Sequence, residues 1–221
     1  MSSSVRVGNF LPSQNGLHFA NYYPHEPEIS VELPFGLKLD LGDAANGLCG
    51  GMVYTVCDYY EAGLATPPQT DPPPAGSPLY QFIVHRLVQS FHLPFGLNRY
   101  LEYMTPLFPT ALCGRVMAER EWPAIKQRLD AGHLVPLGLI KYRSAIPHDL
   151  CRQHQILTYG YDLVDGQQVS LAVYDPNYPN RDDIQLTLTL AGEPHTLTYS
   201  PSEPVFCFFQ THYERQDPPP Q

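Results

Sequence analysis

The segment Asn46-Gly47-Leu48-Cys49-Gly50-Gly51-Met52 places a cysteine where a glycine-rich loop becomes an apolar helix. Unpaired backbone N–H groups and the positive end of the helix dipole meet at such a point. Both favour the thiolate, the nucleophilic form of cysteine. Asn46 is the expected N-cap, which sets Cys49 in the first turn. The glycines offer a substrate close approach to the backbone, and Asn46 and the Gly50 N–H are candidate donors to an oxyanion. The chemistry in view is nucleophilic attack by sulfur, which needs a base.

His154 is the favoured base among nine histidines, because it opens the strand-like run Gln155-Ile156-Leu157-Thr158-Tyr159-Gly160-Tyr161. Asp165-Gly166 reads as a two-residue hairpin turn, and Val169 to Asp175 returns beside the first strand. With that turn, paired positions sum to 331, so Asp175 lies opposite Ile156 and Asn177 opposite His154. His154 and Asp175 then share a face as diagonal neighbours. A carboxylate there fixes the imidazole tautomer and stabilises the imidazolium. Asn177 is an alternative orienting residue. Each residue alone has a plainer role: a packed small thiol, a structural histidine, a turn aspartate. The combination is what points to catalysis.

The elements that must position these groups follow from pattern. Residues 1–45 read as extended and loop-like, interrupted by Pro12, Pro24, Pro27 and Pro34, with short strands at Ser30 to Leu33 and Leu37 to Leu41. The helix carrying Cys49 runs to about Glu61, with Gly63 as its stop. Pro67 to Pro78 is a proline-rich loop, and Leu79 to Phe91 has the spacing of an amphipathic helix. A short helix follows Asn98, and another spans Glu121 to Ala131. Strands follow at 134–142, 154–161, 169–174, 184–190, 195–199 and 205–209. Helices first and antiparallel strands after predict an α+β fold with segregated layers. Residues 1–216 read as one domain and 217–221 as a flexible tail.

Composition narrows the partners. The 221 residues carry a net charge of −9, which disfavours nucleic acid and anionic membrane surfaces. The longest apolar run, Leu134 to Ile140, is far too short to span a bilayer, and the N-terminus lacks the apolar core of a signal peptide. Five widely spaced cysteines fit a reduced, cytoplasmic protein; export by a leaderless route is the other option. No cofactor is expected. Cys151-Arg152-Gln153-His154, with His148 nearby, has a Cys-x-x-His spacing, but no second pair completes a metal site.

Together, Gly47 to Met52, His154 at a strand start and Val173-Tyr174-Asp175-Pro176-Asn177 carry a resemblance. The chain resembles the papain-like-fold cysteine peptidases, closest in pattern to the bacterial branch that processes double-glycine leader peptides. The helix, glycine and buried strand of Glu121 to Ile140 also resemble that branch, so the likeness covers most of 43–177. It implies Cys49 as nucleophile, His154 as general base and then acid, Asp175 as orienting residue, and a peptide or other amide as substrate. The family has a glutamine about six residues before the cysteine; here that position is Asp43, which cannot donate a hydrogen bond when ionised. The implied activity is therefore a thiol hydrolase or acyl transferase, with a noncatalytic binding module on the same fold as the alternative.

Overall fold

A computed structural model of the chain describes residues 2–23, 29–33, 37–41, 47–93 and 95–220. Asp43 and Asn46 lie outside the described residues. The architecture is α+β, with helices concentrated in the first 130 residues and most of the sheet after them.

The helix α2 (Cys49–Glu61) is the centre of the helical layer, preceded by the single turn α1 (Pro12–Asn15). Every residue from Gly50 to Tyr59 is buried. Such a helix must be covered all round. It packs on α3 (Pro78–Ser90) and on the long strand β5 (His154–Val164). Ser77 caps α3 by accepting a hydrogen bond from the Tyr80 N–H, and Pro78 occupies the first turn. Gly63 ends α2 with φ +67. Residues 62–77 join these two helices, so the proline-rich stretch is loop as far as Ser77 and Pro78 already belongs to α3.

Further along the chain, α4 (Phe95–Met104) starts before the expected Asn98. The helix expected at Glu121 to Ala131 is the end of a longer helical run. It starts with α5 (Thr110–Val116), widens through one π-helical turn (Met117–Glu121) and continues as α6 (Trp122–Asp130).

The main sheet is antiparallel throughout. Its order is β8 (Leu197–Tyr199), β7 (Gln185–Thr189), β6 (Gln168–Tyr174), β5, β4 (Val135–Ile140), β9 (Cys207–Gln210). One long edge of β5 is shared: its first half pairs with β4, its second half with β1 (Ser3–Arg6). β1 was read as loop; four residues, three of them exposed and only Val5 partly buried, carry little pattern of their own. β4 is buried along its whole length, as its unbroken apolar sequence requires. A separate hairpin joins β2 (Ile29–Leu33) and β3 (Leu37–Leu41).

The C-terminal segment is anchored, and one of its bonds, at Pro219, falls within the 217–221 expected as a tail. Tyr54 donates to the His212 carbonyl at 2.6 Å, Arg86 to the Glu214 carbonyl at 2.9 Å and Tyr59 to the Pro219 carbonyl at 3.0 Å. Beneath it, Asp58 and Arg86 form a buried ion pair at 2.7 Å, and Asp58 also accepts from the Gln216 N–H at 2.9 Å. The segment thus straps α2 to α3.

Candidate active site

Cys49 is the first residue of α2. The N-cap is Leu48, not Asn46, and it makes no side-chain capping bond. Met52 N–H donates to Leu48 O at 2.9 Å, so the amides of Cys49, Gly50 and Gly51 precede the helical ladder. The thiol is partly exposed. The glycines after it serve packing rather than substrate access. A Cβ on Gly51 would lie 2.0 Å from the Ile83 carbonyl of α3, and one on Gly50 would lie 2.4 Å from Ser90 Oγ. α2 can therefore sit this close to the α3 backbone only with glycine at position 51, while at position 50 the Ser90 and Gln155 side chains would have to shift.

His154 stands at the start of β5, nearly buried. Its Nε2 is 2.8 Å from Asp175 Oδ1. Cys49 and His154 line one small slot, and the Cys49 side chain is among the groups that favour the charged ring. Burial opposes the charged ring, but the charges of Asp175 and Cys49 outweigh it and push His154 up to about 10. Burial likewise opposes ionisation of Asp175, and the imidazolium overrides it, holding the carboxyl below its usual range. Asp175 is 1 % exposed, yet its oxygens are satisfied. Oδ1 also accepts from the Asn177 N–H at 2.8 Å, and Oδ2 accepts from the Tyr199 hydroxyl of β8. Asn177 contributes its backbone here, while its side-chain oxygen accepts from Asn21 at 3.2 Å.

The register that brings His154 to Asp175 differs from the simple hairpin in two places. The loop is three residues, Asp165-Gly166-Gln167, with Asp165 at φ 49 and Gly166 at φ 70, so Val164 pairs with Gln168. Paired positions then sum to 332 as far as Gly160 and Ala172. A β-bulge at Tyr159 absorbs one residue, and the sum becomes 331 at Thr158–Val173 and Leu157–Tyr174. Thr158 Oγ1 supports the bulge by donating to the Ala172 carbonyl at 3.0 Å, and the Tyr159 carbonyl accepts from Val7 N–H at 2.8 Å. Without the bulge, the longer loop would leave His154 and Asp175 on opposite faces.

Beside the sulfur lies a slot of about 30 Å³, lined by Leu87, Phe91, Tyr100, Leu150 and His154 among others. That is room for little more than a water molecule. Gln155 forms part of its wall, donating from Nε2 to Ser90 Oγ at 2.8 Å, while Ser90 donates to the Leu87 carbonyl at 2.7 Å. Gln155 Oε1 and the Tyr100 hydroxyl are buried with no hydrogen-bond partner among the described residues. These two residues and Tyr199 were not singled out from sequence. Alternation from His154 puts Gln155 on the helix-facing side, but nothing local ties Tyr100 or Tyr199 to the site.

Among the described residues, no three or more His, Cys, Asp and Glu side chains gather as metal ligands. No disulfide joins any of the five cysteines; Cys57, Cys113 and Cys207 are buried, and Cys151 is partly exposed like Cys49. Among the described residues, no helix is long and apolar enough to cross a membrane. The chain matches no protein-family model, no curated protein and no solved structure.

Proposed function

We propose that the protein is a thiol-dependent hydrolase or acyl transferase acting on an amide or peptide bond, built on a papain-like arrangement. The observation that carries this reading is His154, bonded to the Asp175 carboxylate, lining the same slot as Cys49. Cys49 sulfur attacks the carbonyl carbon and a C–S bond forms. The tetrahedral oxyanion is met by first-turn amides, that of Gly50 included, which have no intrahelical acceptor. The His154 imidazolium passes its proton to the leaving amine as the C–N bond breaks. Water or an acceptor amine then attacks the thioester, His154 takes its proton, the C–S bond breaks and the thiol is restored. Asp175 keeps the ring oriented throughout.

Iodoacetamide labelling at mildly acidic pH tests the reading. Cys49 is expected to react fastest, with partly exposed Cys151 as the internal reference and the three buried thiols slower still. His154→Ala should remove the advantage of Cys49 over Cys151. Equal, sluggish labelling of Cys49 and Cys151 in the unaltered chain favours the noncatalytic binding module instead.

A further inference from the structure

Tyr100 is common to two cavities. One is the slot at Cys49; the other, about 410 Å³, lies among α4, the π-helical turn, α6 and residues 209–213. In a chain of net charge −9, three arginines line this second cavity: Arg99, Arg120 and Arg128. Glu121 is the carboxylate in its wall, and its oxygens are already engaged. It accepts from Arg99 and, at 3.0 Å, from the Gln210 N–H. Arg120 comes no nearer than 3.9 Å to it. One carboxylate, already held by Arg99 and the Gln210 N–H, faces three guanidinium groups, so the cavity wall keeps an uncompensated positive charge. An anion brought by a ligand would offset it.

The other half of the cavity is aromatic. Phe95 is 70 % exposed at its mouth, and the His92 ring lies 6.3 Å from Phe95 and 4.1 Å from His212. Glu214 lies 3.0 Å from His212 Nε2. Guanidinium forks match the paired oxygens of phosphate and carboxylate, and the volume falls within the range of small-molecule sites. We propose that this cavity binds a small organic anion, with its phosphate or carboxylate at Arg99, Arg120 and Arg128 and a planar ring against Phe95 and His92. The site is independent of the thiol chemistry.

Calorimetric titration of the full chain with adenosine monophosphate, benzoate and uncharged adenosine tests this. The phosphate- or carboxylate-bearing probe should bind, and the tighter of the two identifies the anion; adenosine should bind far more weakly. The double variant Arg120→Gln/Arg128→Gln, checked for an unchanged unfolding transition, should weaken binding about tenfold or more. Cys49→Ala should leave it unchanged. Absence of binding by both anions at millimolar concentration, adenosine binding as tightly as its phosphate, or full affinity in the folded double variant would each overturn the proposal.

Discussion

His154 is the residue on which the account turns. A buried imidazole ordinarily sheds its proton, yet here Asp175 and Cys49 together reverse that tendency. The sign of each contribution gives a prediction. In Asp175→Asn the ring loses the carboxylate that favours its charged form, so the imidazolium should give up its proton at a pH below about 10. The alkylation advantage of Cys49 over Cys151 should therefore be lost from the alkaline side first, which the two rates measured against pH check. A merely structural Asp175 would instead change the five thiols together. Tyr199 and the Asn177 amide keep the carboxylate satisfied, which makes a buried charge tolerable at this position.

At the scale of elements, the close approach of α2 and α3 sets where the thiol sits. Gly51→Ala separates two effects of opposite sign. In an exposed helix it would stabilise by about 1 kcal/mol. Here the new Cβ would meet the Ile83 carbonyl at 2.0 Å, and overpacking of that kind costs about 1–3 kcal/mol. A urea melt should therefore show destabilisation, and the displaced helix should slow Cys49 labelling. The spans of α2 and α3 and the β5–β6 pairing were legible, because period, caps and alternation agree locally. The local bond count of the hairpin was not. A three-residue loop and a bulge at Tyr159 each shift the register by one, and the two shifts cancel at His154. Pairing with β1 and the Thr158 bond that support the bulge come from tertiary context. So does α5, whose interior Gly114 weakens the local helical signal; a Cβ there would sit 3.0 Å from that of His195. Tyr100, Tyr199 and Gln155 were not singled out, since their relation to the site depends on how layers stack.

For the whole molecule, the C-terminal strap connects the site's helices to a buried charge pair. Asp58 and Arg86 are almost fully enclosed, and Tyr213, Gln216 and the Glu214 carbonyl close over them. Arg86→Leu would leave the Asp58 carboxylate buried without its cation, a loss of about 3–5 kcal/mol by comparison with other broken buried pairs. Denaturant unfolding should show it. Limited proteolysis should then cut within 211–220, because Arg86 also holds the Glu214 carbonyl. Composition conveyed the acidic surface and the absence of a long apolar span, but not this strap. A run ending in Asp217-Pro218-Pro219-Pro220 has no pattern of its own that anchors it. Its anchors, Tyr54, Tyr59 and Arg86, lie on α2 and α3, far away in sequence.

The most direct measurement is an NMR titration of the His154 imidazole in the unaltered chain and in Cys49→Ala. The ring should remain protonated through neutral pH and lose its proton at about 10, with a lower midpoint once the sulfur is removed. A midpoint near the ordinary imidazole value of about 6.5, unmoved by Cys49→Ala, would contradict a thiol paired with a carboxylate-held imidazolium.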